Sequence, residues 1–285
     1  MDIIKNTTHR DGAIRNSNFG LLKLHRIAER NETELTDYCQ LDQEMCFVHC
    51  PSHMKQIFSL KLAQIPIDRK SIELYGYIAA RDRRDALLNY IVNISRDDPI
   101  TVQQGSLIEM TGPKRGISLR TAVLLEFDMR IKEGGKEEDD LQLIDGASEV
   151  SEITTPSRAC TGRINGESVE ATVEVAISDV HGGFRFSLSS FVFTDGLHKE
   201  IQLFHGTIGE SCALRRFIVA VSIDTWMHLK FKIGQKGSKS DLERYCSFKA
   251  HSHGCANQQI KMVDVASLSA KVTWSATEVF SWGIK

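Results

Sequence analysis

The sequence predicts a mainly β protein: an antiparallel β-sandwich of about a dozen strands, preceded by a short, partly helical or irregular N-terminal segment. Three stretches carry the prediction. In residues 123–132, Val123, Leu125, Phe127, Met129 and Ile131 fall on one side and Glu126, Asp128, Arg130 and Lys132 on the other. The same alternation returns over residues 169–177, and again over 226–233, where Met227, Leu229, Phe231 and Ile233 interleave with His228, Lys230 and Lys232. Only a period of two separates these sets, so each is a strand with one face in a core and one in water.

Taken in order, residues 1–56 form an extension. Within residues 17–29, Phe19, Leu22 and Arg26, or Leu21, Leu24 and Ala28, share a helical spacing that predicts a short amphipathic helix. Residues 31–37 are polar and read as a loop. Strands follow at 57–63, 71–79, 87–94, 106–110 and 122–132. They are separated by Asp97-Asp98-Pro99 and by Thr111-Gly-Pro-Lys-Arg-Gly116, where proline cannot donate to a ladder and glycine turns freely. The acidic run 133–140 is expected to be a solvated connection.

Residues 145–167, rich in Ser, Thr, Gly and Glu, read as a long loop or linker. Residues 57–285 are therefore one sandwich or two β subdomains, 57–142 and 165–285. Strands resume at 169–178, 184–193, 200–208, 214–223, 226–234, 244–250, 260–265 and 268–274. Gly182-Gly183 and Asp195-Gly196 mark hairpins between them. No repeat of fixed period argues for a propeller or solenoid.

Composition narrows the function classes. The 285-residue chain is 41% hydrophobic and 25% charged, enough for a large core. A formal charge of −2 offers no global attraction to nucleic acid or to an anionic membrane, so neither is the expected partner. Apolar runs are strand-sized, and the first residues lack the apolar stretch of a secretory signal. Seven cysteines, an odd number at irregular spacing, suit reduced thiols and a cytoplasmic protein.

Few clusters suggest chemistry, and no metal or cofactor is expected. Cys46, His49, Cys50 and His53 stand at i, i+3, i+4 and i+7, and on one continuous helix they would share a face able to hold Zn²⁺. Pro51 interrupts that helix. Cys246, His251, His253 and Cys255 have no common zinc spacing. Asp82, Asp85, Asp97, Asp98 and Asp145 lack the pattern of a calcium loop and sit among arginines, which argues surface ion pairing. Basic patches at Lys114, Arg115 and Arg120 and at Lys230, Lys232, Lys236 and Lys239 do not interleave aromatics along the chain. Among the tryptophans, Trp226 and Trp282 could stack a base, whereas Trp274 ends an alternating strand and belongs to a core. No serine elbow, phosphate-binding loop or H-E-x-x-H occurs.

The runs Leu74-Tyr-Gly-Tyr-Ile-Ala-Ala-Arg-Asp82, Leu88-Asn-Tyr-Ile91, Ser95-Arg-Asp-Asp-Pro99, Thr111-Gly-Pro-Lys-Arg-Gly116, Ile201-Gln-Leu-Phe-His-Gly206 and Asp224-Thr-Trp-Met-His-Leu-Lys230 resemble a plant domain of unknown function. That domain is expanded in cereal grasses and also occurs attached to the ribosome-inactivating domain of the sixty-kilodalton jasmonate-induced protein. The resemblance covers roughly residues 57–275. It implies no catalytic residues, and it implies a link to plant stress or defence.

The attached toxin domain raises depurination of ribosomal RNA as an alternative. That chemistry needs a glutamate and an arginine one helical turn apart, plus tyrosines that sandwich the base. Ile78-Ala-Ala-Arg81 lacks the acid, and Glu210 and Arg215 are five apart, off a common helical face. The 56 residues before the β region are too few for a toxin domain. The expectation is a non-catalytic binding or scaffolding module with an unidentified protein partner. Its contacts would lie on exposed loops bearing Arg81 and Asp82, Arg96 and Asp97, and Lys114 and Arg115.

Overall fold

The computed structural model describes residues 31–35, 49–65, 69–82, 84, 87–120, 122–151, 161–163, 167–194, 196–234, 241–262, 264–276 and 278–279. The chain divides into two compact units, Met1–Leu35 with Ser59–Cys160, and Thr36–Phe58 with Thr161–Lys285. Most of the described residues lie in strands paired in antiparallel sheets, and the one helical element among them is a short 3₁₀ turn at Glu137–Asp139. The predicted helix within 17–29 lies outside them.

The first unit is built on a five-stranded sheet. Its order runs Leu141–Val150, Val123–Ile131, Ser71–Arg81 and Asn89–Ile94, with Ile100–Gln103 pairing the other half of Ser71–Arg81. One face carries Ile72, Leu74, Ala80, Leu125, Met129 and Ile131, all buried. The expected wet face of Val123–Ile131 is corrected, because Glu126 is fully buried and Asp128 is 7% exposed. Glu126 pairs with Arg81 on the neighbouring strand and Asp128 with Arg130 on its own, and that pairing is what lets them leave water.

Strand Leu141–Val150 replaces the first part of the expected linker at 145–167. Its residues Asp145, Gly146, Ser148 and Glu149 hide the period-two pattern, but the ladder to Val123–Ile131 supplies its hydrogen bonds. Gly76 sits at φ 112 against that central strand, where a Cβ would overlap the Asp128 carbonyl oxygen. Glycine is what allows the Tyr75-Gly76-Tyr77 backbone to lie so close.

The second unit contains two larger antiparallel sheets, besides the short pairings of His49–Cys50 with Glu278–Val279 and of Met54–Ile57 with Thr161–Arg163. In one, Ser168–Ser178 lies between Ala266–Ser275 on one side and Phe217–Ser222 with Cys212–Ala213 on the other, and Gly254–Met262 borders Ala266–Ser275. The other has the order Leu197–Ile208, Phe184–Thr194, Trp226–Gly234 and Leu242–Lys249. Alternate residues from both sheets form the core, among them Val173, Val175, Phe186, Leu188, Leu229, Phe231, Val272 and Trp274.

Two turn signals had different outcomes. Thr194 pairs Leu197 across the Asp195-Gly196 turn, a two-residue hairpin with Gly196 at φ 78. Gly182-Gly183 is not a hairpin, because it carries the chain from Ser168–Ser178 in one sheet to Phe184–Thr194 in the other. The predicted strand at 260–265 is also displaced. Gly254–Met262 forms the strand, and Val265 lies in the tight turn that follows, its N–H donating to the Met262 carbonyl at 3.0 Å.

Candidate functional site

The six residues expected on contact loops, Arg81, Asp82, Arg96, Asp97, Lys114 and Arg115, all belong to the first unit, and three of them are buried. Arg81 opposes Leu124 and Glu126 opposes Ala79, so Arg81 and Glu126 are diagonal neighbours on the polar face of the sheet. The small Ala79 leaves room for the guanidinium, which pairs with Glu126 through Nε, with Nη2 to Oε2 at 3.4 Å. Both side chains are fully buried.

Asp82, the next residue, faces a second arginine. Arg115 donates from Nη1 to Oδ2 at 2.8 Å and from Nη2 to Oδ1 at 2.9 Å, a bidentate pair with both side chains 1% exposed. The Ser118 and Arg84 backbone N–H groups donate to the same carboxylate at 2.7 and 3.0 Å. Arg115 further reaches Thr33 Oγ1 at 2.9 Å and the Gly116 carbonyl at 3.0 Å. Asn89 fixes the loop from behind, donating to the Arg115 carbonyl at 2.8 Å and accepting from the Lys114 N–H at 2.9 Å. A Cβ on Gly112 would overlap the Tyr90 carbonyl oxygen, so the Thr111–Gly116 turn is pressed onto the Asn89–Ile94 strand.

The expectation of exposed contact loops is therefore corrected for Arg81, Asp82 and Arg115. Their charges are internal struts, since a rigid loop end needs its polar groups satisfied once it is packed. Asp97 is exposed and its N–H donates to Ser95 Oγ. Lys114 is part-exposed, with Nζ 3.4 Å from Glu32.

Arg96 belongs to a third cluster. It donates to Asp140 from Nε at 2.6 Å and Nη2 at 3.2 Å, and the Tyr75 hydroxyl and the Glu133 N–H donate to Asp140 at 2.6 and 2.8 Å. The Arg96 guanidinium holds the Asp140 carboxyl well below the usual carboxylate range, with help from Tyr75 and the Glu133 amide against the burial that opposes ionisation. Burial, then the hydrogen bond to Asp140 and its charge, pushes the Tyr75 phenol up to about 12. Nearby, Arg130 grips Asp128 at 3.1 Å and Glu137 at 2.8 Å, while Gln142 Nε2 reaches Asp128 at 3.3 Å. Burial works against the Arg130 charge, but Asp128 overrides it and raises the pKa. Arg130, Glu137, Glu138, Asp140 and Gln142 line an open depression of about 320 Å³.

Tyr75, Asp128, Arg130, Asp140 and Gln142 were not singled out from the sequence. The visible signal was the polar half of the alternation at 124–130, which read as a wet face.

The helical-face geometry of the Cys/His cluster does not form. His49–Cys50 is extended and pairs Glu278–Val279, Met54–Ile57 is a further strand, and Cys46 lies outside the described residues. Among the described residues no group of three His, Cys, Asp or Glu side chains gathers at metal-binding distance. Cys246 is buried, Cys255 is exposed, and burial pushes the Cys246 thiol up to about 12. Asp85, Lys236, Lys239 and Trp282 lie outside the described residues. Among the described residues no helix is long and apolar enough to cross a membrane.

No curated protein and no solved structure matches this chain. A family model, described as Domain of unknown function (DUF6598), matches residues 54–273. That span takes in all six motifs and reaches into both units, and the chain belongs to this family.

Proposed function

We propose that this chain is a non-catalytic binding or scaffolding module. The observation that carries the proposal is that the motif charges are closed into buried pairs, Arg81 with Glu126 and Asp82 with Arg115, and the resolved displacements of ionisable groups among the described residues point the same way. Asp140, Glu174 and Glu243 are lowered, whereas Tyr75, Cys246, Arg96, Arg130 and Lys230 are raised. Every one of these moves leads away from neutrality and fixes the charge state found near pH 7. A general acid or base works best with a pKa near the operating pH, which is the opposite displacement.

Burial supports the same proposal against rRNA depurination. Arg81 has an acidic partner after all, supplied by Glu126 from the adjoining strand, yet neither side chain is open to a substrate. Arg215 stacks over Phe217 at 4.5 Å and donates to the Leu203 carbonyl. The resemblance to the plant domain supports an association with stress or defence, and free Cys212, Cys246 and Cys255 are compatible with a cytoplasmic setting.

The test uses the purified full chain incubated with ribosomes. Adenine release at the buffer level is expected. Release that disappears in Arg81→Gln or Glu210→Ala would overturn the proposal. Affinity capture supplies the positive arm. Exchange of the exposed Asp97-Asp98 turn together with Lys114→Glu is expected to reduce recovery of partners, and unchanged recovery would remove those loops as the contact surface.

A further inference from the structure

The second unit's Leu197–Ile208, Phe184–Thr194, Trp226–Gly234 and Leu242–Lys249 sheet has one face in the core and one in water, and the watery face is unusual in what it displays. Its inner side chains are Phe186, Leu188, Val192, Met227, Leu229, Phe231, Ile233, Cys246 and Phe248, all buried. The register then fixes the outer rows. Lys232 opposes Ser187 and Glu243, Lys230 opposes Ser189 and Tyr245, and His228 opposes Phe191 and Ser247. Carried on by two residues, the same register sets Phe193 beside Trp226, which opposes Lys249, while His198 flanks Phe193 from the other side.

Three large rings on this face stand open to solvent: Trp226 at 50%, Phe193 at 40% and Tyr245 at 57%. Single exposed apolar residues are ordinary, but rings gathered on one sheet face are not. They are also linked. Phe193 and His198 meet edge to face with centroids 5.3 Å apart, His198 and His228 lie 6.0 Å apart, and Lys230 sits 5.8 Å from the Tyr245 ring. Each ring brings area at low conformational cost, since two torsions fix it.

Charge decides what such a face can hold. Its cations are Arg185, Lys230, Lys232 and Lys249, and each has an anion at hand. Lys230 lies 3.0 Å from Glu243, Lys232 3.0 Å from Asp241, Lys249 3.9 Å from Asp224, and Arg185 4.0 Å from Asp241. Glu200, opposite Phe191, adds a further carboxylate. A polyanionic strand gains affinity by replacing counterions on a cationic surplus, and among the described residues this face offers no surplus.

Around the rings stand hydrogen-bonding groups: His198, Gln202 and a His228–Ser247 pair at 2.7 Å. A docked protein core would favour a continuous apolar patch with polar groups at its rim. Here Phe193 stands beside Trp226 with Phe191 in the next row, and the His228–Ser247 pair separates Trp226 from the Tyr245 row. That pattern matches a neutral pyranose, whose axial C–H groups form an apolar face for stacking and whose equatorial hydroxyls form a polar edge. Trp226 and the Tyr245 row are four residues apart along the strand, so at ~3.4 Å per residue the rings span ~14 Å, room for several sugar rings.

We propose that this outer sheet face, through Phe193, Trp226 and Tyr245, binds uncharged β-linked oligosaccharides. The inference gives a ligand class to the binding role proposed above and rests on that role.

Calorimetric titration of the full chain with cellohexaose, xylohexaose and chitohexaose, beside a uridine oligonucleotide of matched length, tests it. At least one neutral oligosaccharide is expected to bind, with an affinity that stays level between about 0.05 M and about 0.5 M salt. Trp226→Ala and Tyr245→Ala, both surface changes, should each weaken it about tenfold or more with the circular dichroism spectrum unchanged. Leu107→Ala, on the other unit, should leave it intact.

Failure of all three sugars to bind would overturn the inference. So would preferential, salt-sensitive binding of the oligonucleotide, or a Trp226-dependent self-association in sedimentation that accounts for the exposed rings. Release of new reducing ends from a bound sugar would instead overturn the non-catalytic reading while leaving the face as the binding site, so the two failures are distinguishable.

Discussion

Replacing Asp82 by alanine should destabilise the first unit by several kilocalories. The carboxylate accepts four hydrogen bonds: two from Arg115 at 2.8 and 2.9 Å, one from the Ser118 N–H at 2.7 Å and one from the Arg84 N–H at 3.0 Å. With both side chains 1% exposed, removing the anion strands a guanidinium that keeps only Thr33 and the Gly116 carbonyl among these partners. Breaking a buried pair from one side typically costs ~3–5 kcal/mol. At about 4 °C per kcal/mol for a unit of this size, the melting transition should fall by about 12–20 °C.

A contact charge on an open loop would be worth only ~0–1 kcal/mol, so the two views separate clearly. Urea and thermal unfolding followed by circular dichroism would measure the loss, with Asp82→Asn as the milder variant should alanine prevent folding. The double change Asp82→Leu with Arg115→Met should recover much of the loss, because it leaves no orphaned charge. A single-variant cost below about 1 kcal/mol, or additive losses around the cycle, would refute the view of this pair as an internal strut.

Gly76→Ala should prevent stable folding of the first unit, since it forces a Cβ onto the Asp128 carbonyl at φ 112; soluble, cooperatively melting protein would contradict this. The lowered Asp140 carboxyl predicts acid sensitivity. Its stabilisation is fully present above the unfolded value of about 4 and is lost as pH falls toward the folded one, so Asp140→Asn should flatten the stability profile below about pH 4. The raised Tyr75 phenol works at the other extreme. The unfolded chain releases that proton first, so stability should fall between about pH 10 and about 12, and Tyr75→Phe should remove that share of the decline. A disulfide reagent should label Cys255 in the native chain and reach Cys246 only after unfolding, because the latter thiol is buried and pushed up to about 12; equal labelling rates would refute its burial.

Strand identity was legible wherever one face was apolar. Residues 123–132, 169–178 and 226–234 alternate cleanly, and each became a strand with its apolar set in a core. Leu141–Val150 was not legible, because Asp145, Gly146, Ser148 and Glu149 break the period and the strand is held by its neighbour's ladder. Gly182-Gly183 shows the limit of turn chemistry. The dipeptide specifies a reversal, but whether the next strand pairs in the same sheet or crosses to another depends on packing.

The candidate sites illustrate the same division. Arg81, Asp82 and Arg115 could be picked out from the motifs, yet their burial could not, since partners 45 and 33 residues away in the chain decide it. Lys230 and Lys232 looked like a basic patch without aromatics. Cross-strand register adds Tyr245 beside Lys230 and Phe193 beside Trp226, neighbours that no local spacing contains.

By itself the sequence determined the antiparallel β class, because the alternation of side chains along a strand is a local property of the backbone. Tertiary structure alone decided which charges became internal struts and which rings stayed in water. Those outcomes depend on strand order and register, which bring together residues far apart in the chain.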